Sequence, residues 1–157
     1  MISNLEMKKV LLFLLIKHSL PPKSSKVMKC IFYHYLRHIK PLIYGARGEL
    51  NAANPSGKLI IAGFSQGCGM SLHSFFSEKE KIDAVIGIAG YLFPFTPFEK
   101  TERFHRILYG KTDKLRPWEY VKVTYENKID MDKFSLLDNT GHEINEAMVK
   151  LFHSRIQ

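Results

Sequence analysis

The sequence is poor in cysteine: it contains only Cys30 and Cys68, and these form no C-x-x-C pair. A disulfide framework and a zinc site of the C-x-x-C type are therefore not indicated. His34 and His38 have the i, i+4 spacing of metal ligands on a helix, but no acidic residue or third histidine stands near them. We expect no metal site, and we expect a reducing compartment, the cytoplasm.

Long apolar runs are absent as well, and the strongest run, Met7–Ile16, is far too short to span a bilayer. Its lysine pair and apolar core invite comparison with a secretory signal, but no small-x-small cleavage site follows. A parallel strand that is covered on both faces has a continuous apolar run rather than alternation. We interpret the run as such a buried strand rather than as a targeting segment.

Acidic residues are scarce in the first third of the chain, where Glu6 and Glu49 are the only ones up to Lys58. The whole chain has a formal net charge of +8 at pH 7. This basic part is a candidate for peripheral contact with an anionic membrane, although a solvated basic face is the favoured interpretation. No arginine and lysine cluster is interleaved with aromatics in a known motif, so no nucleic-acid binding is predicted.

What the sequence does contain is the composition of a globular domain, with 45% hydrophobic residues among 157. Short apolar runs alternate with helical patterns, which predicts an α/β fold with a mostly parallel sheet flanked by helices. Further strands are predicted at Lys58–Ala62, Asp83–Ala89, His105–Tyr109 and Phe134–Leu137. Helices are predicted at Lys26–Tyr44 with a break or end near Pro41, from Gly67 onward, at Trp118–Asn127 and at Ile144–Ile156, and a connecting loop at Gly45–Gly57.

Residues 63–67 read Gly-Phe-Ser-Gln-Gly, which fits the pattern G-x-S-x-G between a short apolar strand and a helix. In this context the chain reverses sharply, and the serine is held in a strained conformation with its oxygen exposed. The helix that begins here directs free N–H groups at the site, which favours a developing oxyanion. Ser65 is therefore a candidate nucleophile, and the alternative is an ordinary serine in a turn.

A serine hydroxyl becomes a good nucleophile only when a base takes its proton, and an acid must orient that base. Asp113 lies in a turn just after a predicted strand, and His142 lies in a loop between the last strand and the last helix. Asp138, four residues before His142, is the competing acid. The order of serine, aspartate and histidine, each after its own strand, indicates a catalytic triad.

Three motifs in order, GFSQG after an apolar strand, YGKTD, and GH before the last helix, resemble the phospholipase/carboxylesterase family, particularly acyl-protein thioesterases. The resemblance implies an α/β-hydrolase-like fold of reduced size, with Ser65, Asp113 and His142 as the catalytic triad. It also implies hydrolysis of an acyl ester or thioester without a cofactor. Residues 1–157 are then a single domain, with an atypical N-terminal part (1–57) and a catalytic core (58–157).

The chain departs from the family pattern at two positions and in one segment. Cys68 stands where the family usually has a second glycine after GFSQG, and Tyr109 stands where it usually has a histidine. The H-G-x-G loop that supplies half of the family's oxyanion hole is absent from the sequence. The Gln66 N–H is the predicted oxyanion-hole donor; the second donor is unassigned, and losing one donor costs on the order of a hundred- to thousandfold in rate.

Two functional hypotheses follow from these residues. The first is an esterase or thioesterase whose acyl pocket is lined by Phe93, Phe95 and Phe98, although ordinary core packing explains the three rings equally well. The second is a shortened, catalytically impaired hydrolase domain with a binding or regulatory role. Both a monomer and a dimer are compatible with the sequence, because an incomplete sheet edge invites pairing.

Overall fold

The computed structural model describes residues 9–15, 33–126 and 128–156. Its five strands are parallel and form one sheet in the order β1-β2-β3-β4-β5. The strands are β1 (Lys9–Leu15), β2 (Lys58–Phe64), β3 (Ala84–Ile88), β4 (Phe104–Gly110) and β5 (Phe134–Leu137). The helices are α1 (Lys40–Ala53), preceded by a π-helical turn at Tyr35–Ile39, α2 (Gln66–Ser77), α3 (Trp118–Tyr125) and α4 (Glu146–Ile156), with a 3-10 turn at Met131–Lys133.

Side chains of β2 alternate between two core clusters, one on each face of the sheet. Leu59 and Ile61 pack with apolar residues of α1, α2 and α3, whereas Ala62 and Phe64 pack with those of α4. Because helices cover both faces, both sets of side chains avoid water, and this explains the continuous apolar run. The predicted strands and the α/β class are confirmed. The ends of the run Met7–Ile16 lie outside the described residues.

The helix around Pro41 differs from the sequence prediction. The predicted break near Pro41 is wrong, and so is most of the predicted loop at Gly45–Gly57, because α1 runs from Lys40 to Ala53 and only residues 54–57 form the connection to β2. Pro41 lies in the first turn of α1, after the π-helical turn, where a missing N–H is tolerated. A Cβ on Gly45 or Gly48 would meet nothing within 4 Å, so both glycines lie on the open side of the helix.

Glu78 follows α2 and ties this helix to α1. Its carboxylate accepts hydrogen bonds from the hydroxyls of Tyr35 (2.7 Å) and Tyr44 (2.8 Å), and it lies 3.0 Å from Lys40 Nζ. Burial raises the pKa of this carboxyl, but the three hydrogen bonds outweigh burial, so its pKa lies below the ordinary value. A carboxyl with a lowered folded pKa adds stability above its unfolded pKa and loses it as the pH falls through the folded value.

Glu78→Gln is expected to destabilise the protein at pH 7 by about 1–3 kcal/mol, because the buried Tyr35 hydroxyl loses a charged acceptor. The difference from wild type is expected to shrink as the pH falls below the ordinary carboxyl value of 4.5. Urea unfolding at pH 7 and at about pH 3.5 measures both effects. Glu80→Gln is the matched control, since Glu80 is exposed. A difference that does not vary with pH would contradict the argument.

Candidate active site

The turn between β2 and α2 holds Ser65 in a strained conformation. Its φ is 56° and its ψ is −116°, and residues other than glycine rarely adopt a positive φ. The Ser65 N–H donates to the carbonyl oxygen of Ile88, at the end of β3, over 2.8 Å. The strand-to-helix turn predicted from G-x-S-x-G is therefore present, and it holds Ser65 at the carboxyl edge of the sheet.

Two glycines make room for this turn. A Cβ on Gly63 would overlap the carbonyl oxygen of Gly67 and would lie 2.5 Å from Ser71 Oγ. A Cβ on Gly90, beyond β3, would lie 2.5 Å from the carbonyl oxygen of Ser65. Side chains at these positions would push the turn away from β2 or from the segment after β3. The position of Ser65 thus depends on close backbone contacts on two sides.

Ser65, Asp113 and His142 meet at this edge. His142 Nε2 lies 2.9 Å from Ser65 Oγ, and His142 Nδ1 lies 2.7 Å from Asp113 Oδ2. The Asp113 side chain is fully buried, and the His142 side chain is 14% exposed. The carboxylate is shielded from water, while one side of the imidazole faces the half-buried serine. Such a chain of donors and acceptors is suited to moving a proton away from Ser65 Oγ.

Of the two candidate acids, Asp113 is the one that contacts His142. Asp138 has a side chain that is 77% exposed, and it pairs with Lys111 Nζ at 2.8 Å. Both carboxylate oxygens of Asp113 are used, because Oδ1 accepts the N–H of Arg116 at 2.8 Å. Asp138 is therefore a solvent-exposed loop residue that does not contact His142 in this structure.

The loop that carries His142 packs on the end of β4 at Gly110. A Cβ on Gly110 would overlap the carbonyl oxygen of Thr140 and would lie 2.6 Å from that of Gly141. The Thr112 N–H also donates to the Thr140 carbonyl over 3.0 Å. Gly110 is not among the site residues predicted from the sequence, although its place in YGKTD, between the strand and the acid, is a signal for it. Because Gly110 has no side chain, the loop that carries His142 can pack closely against the loop that carries Asp113.

Gln66 begins α2 and is 5% exposed. The first N–H groups of a helix have no partner within the helix, so the Gln66 N–H is available at the turn. β1 ends at Leu15, which pairs with Phe64, the residue before Ser65. The chain therefore leaves β1 beside the turn that carries Ser65, and the residues that follow, 16–32, lie outside the described ones.

The predicted acyl-pocket rings pack in the core. Phe93 is fully buried, and its ring is stacked on that of Phe95 with a centroid separation of 5.1 Å. The Phe95 ring also meets His73 of α2, and the Phe98 ring meets Phe76 of α2 at 5.0 Å. These contacts agree with the interpretation that the three rings pack in the core. A role of the rings in substrate binding stays a prediction.

The described residues contain neither a metal-binding cluster nor a membrane-spanning helix. No group of three or more His, Cys, Asp or Glu side chains there could hold a metal ion. No described helix is both long enough and apolar enough to cross a membrane. The basic N-terminal part lies partly outside the described ranges, so its contact with an anionic membrane stays a prediction.

Comparison with known proteins identifies a family and several relatives. The model of a family described as phospholipase/carboxylesterase matches residues 21–157. Acyl-protein thioesterase 1 homolog 2 of Dictyostelium discoideum is 26% identical over 124 residues, which cover 69% of this chain and 53% of that protein. Acyl-protein thioesterase 1 of Yarrowia lipolytica is 27% identical over 99 residues, which cover 57% of this chain and 42% of that protein. The chain spans about half the length of these relatives.

Solved structures share the fold of this chain. Esterase PE8 matches with a TM-score of 0.61 and 19% identity, over 87% of this chain and 66% of that one. A serine hydrolase homologue from Coxiella burnetii matches with a TM-score of 0.56 and 17% identity, over 73% of this chain and 55% of that one. At such identities the likeness is one of fold, and it confirms the predicted α/β-hydrolase-like class.

Proposed function

The chain belongs to the phospholipase/carboxylesterase family, and from this membership we propose that it is a serine hydrolase that cleaves carboxylic esters or thioesters. The proposal is based on two hydrogen bonds. His142 Nε2 lies 2.9 Å from Ser65 Oγ, and His142 Nδ1 lies 2.7 Å from Asp113 Oδ2. The relatives named as acyl-protein thioesterases support a thioester substrate, and the family description, phospholipase/carboxylesterase, supports a carboxylic ester.

The first half of the proposed reaction forms an acyl-enzyme. Ser65 Oγ attacks the carbonyl carbon of the substrate while His142 Nε2 takes the hydroxyl proton. Asp113 accepts the Nδ1–H of His142, which fixes the tautomer and stabilises the positively charged ring. When the tetrahedral intermediate collapses, Nε2 gives the proton to the departing alcohol or thiol. The acyl group is left on Ser65.

The second half repeats these steps with water as the nucleophile. His142 Nε2 takes a proton from water as the water oxygen attacks the acyl carbon, and it returns the proton to Ser65 Oγ as the bond breaks. The products are a carboxylic acid and the free enzyme. In both halves the oxyanion develops next to the start of α2, where the Gln66 N–H is the proposed donor and the helix dipole is favourable.

A second candidate is a hydrolase domain impaired in catalysis that serves a binding or regulatory role. One observation favours it: the sequence contains no H-G-x-G segment to supply a second oxyanion donor. A site with one donor is expected to be slower by on the order of a hundred- to thousandfold. The two candidates therefore differ in whether Ser65 reacts with an acyl-type electrophile at a measurable rate.

Labelling with a fluorophosphonate probe separates the two candidates, because the probe reacts with activated serines whatever the natural substrate. Wild type is expected to label, with the adduct on the peptide that contains Ser65, and the Ser65→Ala and His142→Ala variants are expected not to label. Hydrolysis of short and long p-nitrophenyl esters and of an acyl thioester then defines the preferred substrate.

Ser56→Ala is the matched control for labelling. Ser56 lies in the exposed turn before β2, where its hydroxyl bonds the side chain of Asn54, and the variant is expected to label like wild type. Folding of each variant is checked by thermal unfolding. A folded wild-type protein that does not label would overturn the hydrolase proposal and favour the impaired domain.

A further inference from the structure

The loop after β4 closes on itself around Asp113. The Arg116 N–H donates to Asp113 Oδ1 over 2.8 Å, and the Tyr109 hydroxyl donates to the Arg116 carbonyl oxygen over 2.6 Å. The Asp113 N–H completes the turn by donating to the Gly110 carbonyl over 3.3 Å. The backbone of Arg116 is thus held at its N–H by the carboxylate and at its C=O by the tyrosine.

The side chain of Arg116 holds the same loop from the other side. Its guanidinium carbon lies 4.6 Å from the centre of the Tyr91 ring, a cation–π distance. Tyr91 follows β3 directly after Gly90, which packs against the backbone of Ser65. The loop that carries the acid is therefore fastened to the segment that supports the nucleophile.

Tyr109 is well placed to act as a permanent donor. It lies in β4, its side chain is fully buried, and its ring packs on Trp118 with a centroid distance of 5.2 Å. Burial, followed by the nearby Asp113 carboxylate, raises the pKa of Tyr109, so the hydroxyl keeps its proton. A half-buried carbonyl that loses its hydrogen-bond donor is destabilised, and the backbone of Arg116 would move to find another donor.

We propose that Tyr109 is a positioning residue for the triad, which fixes the Asp113 carboxylate through the backbone of Arg116. With Oδ1 held by the Arg116 N–H, the plane of the carboxylate is set and Oδ2 points to His142 Nδ1. Without the Tyr109 hydroxyl, the Arg116 backbone relaxes and the carboxylate turns away from the imidazole. The inference rests on the proposed hydrolase function, since it concerns how the acid of that triad is oriented.

Tyr109→Phe tests this inference because it removes only the hydroxyl. We expect kcat for ester hydrolysis to fall by roughly ten- to hundredfold with KM nearly unchanged, since a misplacement of about 1 Å costs on the order of a hundredfold. We also expect the low-field proton NMR resonance of the His142 Nδ1–H to broaden or to move upfield. If Tyr109 contributed only to stability, Tyr109→Phe would change neither kcat relative to KM nor this resonance.

Tyr35→Phe is the matched control. It removes another buried hydroxyl, which donates to Glu78 over 2.7 Å in a network without triad residues, so it should alter unfolding but neither kcat nor the resonance. If Tyr109→Phe does not fold, Arg116→Met, which releases the loop from Tyr91, is expected to move the same resonance and lower kcat about tenfold.

The outcomes separate this inference from the proposed function. A folded Tyr109→Phe variant with wild-type kcat and an unchanged resonance overturns the inference while the hydrolase proposal stands. A wild-type protein without activity or labelling, whose resonance nevertheless moves in Tyr109→Phe, overturns the hydrolase proposal while the positioning role stands.

Discussion

Asp113→Asn is expected to lower kcat by on the order of ten-thousandfold while the protein stays folded. The asparagine amide group presents either an N–H₂ group or a single oxygen to His142 Nδ1. If the N–H₂ group faces Nδ1, the imidazole proton moves to Nε2, and Nε2 can no longer accept the proton of Ser65. Steady-state hydrolysis of a p-nitrophenyl ester and the rate of fluorophosphonate labelling both measure this loss.

Asp138→Asn is the matched control for this change. Asp138 is the other acid near His142 in sequence, but its exposed side chain pairs with Lys111. Exposed ion pairs contribute about 0–1 kcal/mol, so the variant is expected to keep nearly full activity and stability. A larger loss in Asp138→Asn than in Asp113→Asn would show that the acid is assigned to the wrong residue.

The strands and the three loops that carry Ser65, Asp113 and His142 could be predicted from the sequence, because their signals are local. A short apolar run such as that of β2 marks a buried parallel strand, and a glycine-flanked serine directly after it marks a tight turn into a helix. Asp113 and His142 follow from their place after β4 and β5, since loops at the carboxyl ends of parallel strands meet at one edge.

The sequence did not predict features that depend on the helix context or on contacts between residues far apart in the chain. Pro41 signals a break, but it lies in the first turn of α1, where its lack of an N–H does little harm, and the helix-forming residues after it continue the helix. Gly110, the last residue of β4, contacts Thr140, which is 30 residues further along the chain, and the motif around Gly110 does not indicate which segment it contacts. The Tyr109 hydroxyl likewise reaches Arg116 only because the loop folds back onto β4.

Cys68, a departure from the family pattern, is explained by packing. Its side chain is fully buried, and a Cβ on Gly87 or on Gly90 would lie 2.5 Å or 2.6 Å from Sγ. The thiol thus occupies space that the two glycines leave free beside the turn of Ser65. Burial raises the pKa of Cys68 to about 12, so the thiol stays neutral and acts as a small apolar group.

Gly63→Ala is expected to destabilise the protein by about 3 kcal/mol and to reduce labelling of Ser65 at least about a hundredfold. The new methyl group would overlap the Gly67 carbonyl, and it would crowd Ser71 Oγ at 2.5 Å. Both neighbours belong to α2, so relief requires the helix to move away from β2 and to carry Ser65 with it. Urea unfolding and the labelling rate measure the two effects on the same sample.

Gly48→Ala is the matched control, because the same methyl group is added where nothing lies within 4 Å. Gly48 lies inside α1, where alanine is favoured over glycine by about 0.5–1 kcal/mol. The control is therefore expected to stabilise the protein and to leave labelling unchanged, so the two substitutions shift stability in opposite directions. Equal effects at both sites would mean that the turn around Ser65 yields as easily as an open helix surface, and the argument that close backbone packing holds the nucleophile would fail.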